Sequence, residues 1–283
     1  MDSSPALPII RIDFFPMANP LKRYRITDDA QLDLSSFDAA TDVLATDRGD
    51  ALKIVQSDIA AYQNKLFAEN RHSVLVVFQG MDAAGKDGAI IATFDQAHPQ
   101  GVAVTPFKAP SPDEAAHDFL WRVHPHAPAK GMIAVFNRSH YEAVIAERVL
   151  GFADKKECKR RYAQIVDFER LLTEHGTTIV KCFLHISKDE QKKRLQSRLD
   201  EEDKHWKFNP NDLVERGRWD ANLQAFTDAI RYTATKGSPW WIVPSDDKSH
   251  RNLMAATIVR DALAKMEPQY PPLDPKYKSI VIE

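Results

Sequence analysis

The sequence predicts an α/β protein built on a parallel five-stranded sheet with helices on both faces. Three observations lead there. Short apolar runs at 73–79, 102–107, 132–136, 178–186 and 240–243 alternate with longer stretches of helical periodicity, which is the pattern of βαβ units. The first run is apolar at almost every position, as in a parallel strand covered on both faces. That run also feeds straight into GMDAAGKDG at 80–88, a glycine-rich turn that opens a helix.

The elements follow in order. Residues 1–49 are rich in Pro and Asp and form an N-terminal arm, with 1–11 expected to be disordered and the remainder extended. In 50–70, Leu52, Val55, Ile59, Tyr62 and Leu66 step by three and four along one helical stripe. A helix at 89–98, closed by Pro99, follows the glycine-rich turn. Ser111 and Pro112 start a helix at 113–123. Helices are expected at 141–150 and at 155–175, the latter ended by Gly176. The strand at 178–186 leads into a strongly basic helix at 188–199, a charged linker at 200–209 and a helix at 211–235. After the fifth strand, a helix at 250–266 completes the domain, which spans 50–266; the tail at 267–283 is Pro-rich.

Bulk composition narrows the function. Hydrophobic residues at 43% and charged residues at 28% of 283 suit a globular domain. No apolar run approaches the roughly 20 residues that span a bilayer, and the N-terminus does not resemble a signal peptide, so no membrane partner is expected. Cys158 and Cys182 are the only cysteines, and Cys182 lies in a strand, which suits a reduced, cytoplasmic protein. A net charge of −2 argues against a nucleic-acid surface, so any polyanion must be met by local clusters of Lys and Arg.

In parallel sheets ligands gather at the carboxyl ends of the strands. The suspects are therefore the residues after each strand: 80–88, Lys108, 137–141, Ser187 and 245–248. The loop fits G-x-x-x-x-G-K, a P-loop spacing in which backbone amides turn toward one anion and a lysine adds mobile charge. Ala83, Ala84, Gly85, Lys86, Asp87 and Gly88 would form this cradle. Asp87 stands where a nucleotide-hydrolysing loop has the Ser or Thr that ligates Mg²⁺, so carboxylates must hold the metal, with Asp82 the first candidate. After the third strand comes neutral Asn137, able to offer a carbonyl to a metal, and then Arg138, suited to bidentate phosphate contact. Lys188, Lys192, Lys193, Arg194 and Arg198 form a basic helix, with Arg194 and Arg198 on one face. Its place between the fourth strand and the next long helix is that of a mobile lid over a transferred phosphate. In the segment from Asp118 to Arg122, on the helix after the second strand, Arg122 can reach an acceptor phosphate across the crevice. His124 and His126 are read as loop histidines. There is no G-x-S-x-G hydrolase motif and no guanine-reading N-K-x-D. The residues by themselves describe a phosphotransferase with a lid.

The motifs taken together are more specific. VVFQGMDAAGKDG, TPFKAPSPDEAAHDFLWR, FNRSHYE, FLHISKDEQKKRL, WKFNPND and PWWIVPSDDK, in this order, resemble polyphosphate kinase family 2, and FNRSHYE looks like its class III branch. The resemblance implies a P-loop kinase-like fold similar to thymidylate kinase, with a helical lid at approximately 188–212. It implies Mg²⁺-dependent, reversible transfer of phosphate between inorganic polyphosphate and adenine nucleotides (AMP and ADP, with guanine nucleotides a further option), in a homo-oligomer. Carried onto this chain, it makes Asp82, Lys86, Arg138, Arg194 and Arg198 catalytic and gives the 83–88 loop the polyphosphate end. Lys204 and Lys207 would track the polyanion. Lys108, Asp118, Arg122, Asn137, Arg138 and Tyr141 would hold the nucleotide, and Asp82 and Asn137 the metal. Two departures stand out: Asp220-Ala221-Asn222 follows Trp219 where the family shows an acid then tyrosine, and 149–160 is shorter. The competing readings are an ATP-dependent nucleoside monophosphate kinase and a nucleotide-sensing protein with a decayed loop.

Overall fold

The computed structural model describes residues 20–44 and 47–282, so the expected disorder at 1–11 lies outside the described residues. In chain order come β1 (Arg25–Ile26), α1 (Arg48–Glu69), β2 (Ser73–Gly80), α2 (Lys86–Phe94), β3 (Val102–Pro106) and α3 (Pro112–Ala115). Then follow β4 (Ile133–Asn137), α4 (Ala146–Val149), α5 (Lys155–Glu174), β5 (Thr177–His185) and α6 (Lys188–Asp200). The last are α7 (Asn211–Gly217), α8 (Trp219–Thr233), β6 (Trp240–Pro244) and α9 (Lys248–Met266).

The sheet runs β1-β6-β5-β2-β4-β3. All five expected strands form and pair in parallel. A sixth, β1, corrects the expected count: Arg25 and Ile26 lie antiparallel to Trp241 and Trp240 at one edge. Two residues are too short to carry an alternating pattern, so this strand was hidden in the Pro- and Asp-rich arm. Around it, Leu21, Tyr24, Leu32 and Leu34 are buried in the core of the domain. The His185 ring donates to the Phe37 carbonyl at 2.8 Å, and the Asp246 amide to Ala39 at 3.1 Å. The described part of the arm is thus packed against its own domain.

β2 is central and buried at every residue, because helices cover both faces of the sheet there. α1, α2 and α9 pack together, while α5 packs on α8 and β5. With β4 on one side of β2 and β5 on the other, a crevice opens at their carboxyl ends, and the glycine-rich loop leaves β2 there.

Four expected helices differ from their expected spans, and the one expected at 89–98 starts at Lys86 and ends at Phe94. The helix expected at 113–123 stops at Ala115 despite a complete capping box between Ser111 and Glu114. Asp118 accepts from the amides of Leu120 (3.0 Å) and Trp121 (3.2 Å), a turn that competes with helix propagation. In place of a helix at 141–150 the chain makes a 3-10 turn at His140–Ala143 and then α4. The helix expected at 211–235 is divided at Arg218 into α7 and α8. The charged linker is a 3-10 helix at Glu202–Lys207. Cys158 and Cys182 are buried and unpaired. Among the described residues, no helix is long and apolar enough to cross a membrane.

Candidate functional site

The site is assembled where β2 ends. Gly80 and Gly85 have φ of +155° and +98°, conformations that strain any residue with a Cβ. A Cβ on Gly80 would lie 2.8 Å from the Leu184 carbonyl, so glycine there lets the loop press against β5. A Cβ on Gly85 would collide with the Arg251 guanidinium. Gly85→Ala is therefore expected to destabilise the protein by about 1–3 kcal/mol. Chemical denaturation measures this, and an unchanged midpoint would remove the steric argument.

Lys86 opens α2 and folds back over its own loop, donating to the carbonyls of Gly80 (2.8 Å) and Met81 (3.2 Å). Burial of the ammonium, and then the nearby Arg138 charge, bring its pKa down to about 8. Asp82 and Glu142 pull the other way and are outweighed. Asp82 accepts from Arg138 at 2.6 Å, and Arg138 also reaches Glu142 at 3.2 Å. Glu142 first among these raises the guanidinium's pKa. Arg138 itself is in the left-handed region (φ +61°), and its amide donates to Phe78 on β2 at 3.0 Å. Next to it the Asn137 side-chain amide donates to Asp87, which leaves the Asn137 side-chain carbonyl free of that bond.

A cleft of about 1200 Å³ runs from this cluster. Asp82, Lys108, Asp118, Arg122 and Arg138 all line it, as the sequence predicts, together with Glu142 and Asp212. Arg122 is braced by the Lys108 carbonyl (2.9 Å) and by Glu114 (3.5 Å), and it lies 5.5 Å from the centre of the Phe107 ring. Asp212 pairs with Arg198 at 2.6 Å. Its carboxyl is pushed up, by burial and then by the charge of Asp82, so these two acids share one region of the cleft.

Other expected site residues sit elsewhere. Tyr141 is fully buried and does not line the cleft. Its hydroxyl donates to Glu169 at 2.7 Å inside the core, so a nucleotide contact for this side chain is corrected to a structural one. Arg194 is also buried, with its donors consumed by the protein. It bonds Glu190 (2.9 Å), the carbonyls of Ala83 and Ala84 (both 3.0 Å), and those of Ser245 (2.6 Å) and Asp246 (2.9 Å). It braces the back of the loop, so the expected free lid arginine is corrected to a brace. Lys204 pairs with Glu201, and Lys207 lies 5.0 Å from the Trp206 ring; neither lines the cleft.

Several residues escaped sequence reading. Glu142 was visible as the i+4 partner of Arg138. Asp212 and Gln191, whose side chain donates to the Asp82 carbonyl at 3.0 Å, carried no local signal. Neither did Arg251, which donates to Ala84 at 3.3 Å from beneath the loop.

Among the described residues, no three or more His, Cys, Asp or Glu converge as a cation site. Magnesium does not require such a cage: it keeps several waters and takes one or two carboxylates plus substrate phosphates. Asp82 and the Asn137 carbonyl suit that mode.

Comparison with known proteins identifies the family of the chain. The family model for Polyphosphate kinase 2 (PPK2) matches residues 45–271. An AMP/ADP-polyphosphate phosphotransferase of Meiothermus ruber is 43% identical over 268 residues, covering 93% of this chain and 100% of that protein. An ADP-polyphosphate phosphotransferase of Rhodopseudomonas palustris is 36% identical, covering 93% and 96%. The crystal structure of Polyphosphate Kinase 2 from Arthrobacter aurescens TC1 superposes with a TM-score of 0.87 at 41% identity, covering 91% of this chain and 93% of that one. This chain belongs to the polyphosphate kinase 2 family.

Proposed function

We propose that this protein is a P-loop kinase-like phosphotransferase that moves phosphate between inorganic polyphosphate and AMP or ADP. The observation that carries the reading is the convergence of Asp82, Lys86 and Arg138 at the carboxyl end of the central strand, with Asp82 and Arg138 lining the cleft that opens there. Names of close relatives support the substrate pair. The domain is 50–266, with α6, the turn after it and α7 as the lid.

In the forward direction an anionic oxygen on the β-phosphate of ADP attacks the terminal phosphorus of polyphosphate. The bond from that phosphorus to the penultimate phosphate's bridging oxygen breaks, and the shortened chain leaves with the electron pair. The attacking oxygen is already ionised, so no strong base is required. What the protein must do is align the two chains and neutralise the equatorial oxygens. Lys86 and Arg138 supply that charge, and Arg122 with Lys108 faces the acceptor from across the cleft. Arg198 of the lid is held by Asp212, which lines the cleft. Magnesium, held by Asp82 and Asn137, would add further neutralisation of the phosphates. One phosphoanhydride replaces another, so the reaction runs in both directions. Two buried, unpaired cysteines support a reducing, cytoplasmic setting.

The deciding experiment supplies ADP, Mg²⁺ and polyphosphate without ATP. ATP formation is expected; its absence, with activity restored only when ATP and a nucleoside monophosphate are given, would instead establish a monophosphate kinase. The polyphosphate KM is further expected to climb with ionic strength. If three phosphates are neutralised, a fourfold rise in salt raises it roughly twentyfold to fortyfold. Steady-state kinetics at constant free Mg²⁺ checks this, and a flat KM would rule out charge as the source of affinity.

A further inference from the structure

Beneath the Arg138 turn lies an ion pair with no direct part in the cleft. Lys181 on β5 and Glu169 on α5 meet at 2.6 Å and are essentially sealed from solvent, at 0% and 2% side-chain exposure. Every hydrogen-bonding direction of the ammonium is engaged: Glu169, the Tyr141 hydroxyl at 3.1 Å and the Thr233 carbonyl at 3.0 Å. Glu169 also accepts from Tyr141 (2.7 Å) and Ser238 (2.7 Å), and the His140 ring stands 3.4 Å away. Burial by itself pushes the Glu169 carboxyl up, but Lys181 and His140 bring it down to about 2, so the group is a carboxylate.

Such a pair is an uneconomical way to stabilise a core, since well-packed apolar residues of the same volume do as well or better. Its value lies in direction. Tyr141 is separated from Arg138 only by Ser139 and His140, and Ser139 is itself clamped: its hydroxyl accepts from Gln79 at 3.1 Å and from the Tyr141 amide at 3.2 Å. The Arg138 amide is tied to Phe78. The left-handed Arg138 is therefore fixed on one side by β2 and on the other by the buried pair.

We propose that Glu169 and Lys181, acting through Tyr141, are positioning residues that hold the Arg138 guanidinium at the reacting phosphates. This rests on the reading of Arg138 as a phosphate-contacting residue. A strained turn has other conformations available, and the pair excludes them by gripping the tyrosine at its far end. Small displacements of a charged group at a phosphoryl-transfer site carry large rate penalties.

The test is a double-mutant cycle on kcat at saturating substrates. Tyr141→Phe is expected to lower kcat by about tenfold to a hundredfold with little change in the polyphosphate KM. Arg138→Lys alone is expected to lower kcat strongly. In the Arg138→Lys background, Tyr141→Phe should have less than a twofold further effect, because the group it positions is gone. Ser238→Ala removes a bond to the same carboxylate on the side away from the turn, and it should lower the melting temperature without lowering kcat. Should Tyr141→Phe reduce kcat equally in both backgrounds, or Ser238→Ala reduce it as much, the pair acts on stability alone and the proposal fails. A silent Arg138→Lys would instead remove the reading of Arg138 and the proposal with it. The two failures are distinct. If Tyr141→Phe does not fold, the charge-neutral pair Glu169→Gln with Lys181→Met is put through the same cycle with the same criteria.

Discussion

Lys86→Met is expected to lower kcat by roughly a thousandfold while leaving the fold intact. Removing one preorganised donor from a transition-state site costs about 10²–10³ in rate, and a cation on the transferred phosphoryl group is worth about 10³ or more. Lys86 is both a donor and a cation in this position. The fold should survive because the ammonium is held against desolvation. Its pKa is about 8 in the folded protein, below the roughly 10.4 of an unfolded lysine. Between these values the unfolded chain binds more protons, so this group's contribution to stability improves as pH rises through the window. Below pH 8 the charged, half-buried lysine is a net penalty, which methionine removes. The variant should thus melt at or slightly above the wild-type temperature at pH 7, with kcat measured on the same preparation. Retained turnover would show that the loop does not grip the transferred phosphate. A fall of many degrees in melting temperature would show that the Gly80 and Met81 carbonyls depend on this ammonium. Asp82→Asn is the companion variant: it removes the charge that meets Arg138 at 2.6 Å.

What could be read in the sequence divides along a physical line. The β2-loop-α2 unit was legible because its determinants are local: an apolar strand, glycines at the bend and a lysine at the helix start. The parallel order was legible for the same reason, since each strand carries its own apolar run. Asp82, Lys108 and Arg138, which line one cleft, were legible through the rule that ligands gather at strand ends. Reasoning failed where the answer depends on what lies across the fold. Periodicity puts Arg194 and Arg198 on one helix face, yet it does not say what that face meets. Arg194 meets five partners belonging to the protein, and Arg198 meets Asp212. Tyr141 follows Arg138 so closely that it was assigned to the nucleotide, whereas its hydroxyl answers a carboxylate 28 residues further on. Arg251 is one of many basic residues until α9 is packed under Gly85 and Gly88.

This packing clarifies how a nearly neutral chain can serve a polyanion. Positive charge is concentrated around the loop: half-buried Lys86 within it, buried Arg194 behind it and buried Arg251 beneath it. Burial, and then the neighbouring Arg194, bring the Arg251 guanidinium down to about 10. Lys86, held at such a disadvantage when the site is empty, is primed for an anion that relieves it. The surface needs no general excess of Lys and Arg, in keeping with a net charge of −2.

It follows that polyphosphate binding above pH 8 should take up a proton. In the free protein Lys86 loses its charge as pH rises through about 8; a phosphate chain laid beside it restores the usual preference for the ammonium form and raises the pKa. Below pH 7 the lysine is charged in both states, and affinity should be insensitive to this group. From pH 8 upward each unit should weaken apparent affinity by up to about tenfold, so roughly a hundredfold is lost by pH 10. Asp82, Glu142 and Asp87 are the acids that face the same ammonium. Arg251 begins to contribute only near pH 10. Calorimetric titration with a defined polyphosphate, in two buffers of different ionisation enthalpy at pH 8.5, should report proton uptake of most of one equivalent. The same titration on Lys86→Met should report almost none. Equal uptake by the two proteins would assign the proton to another group, and zero uptake by both would mean that Lys86 is charged in the empty site.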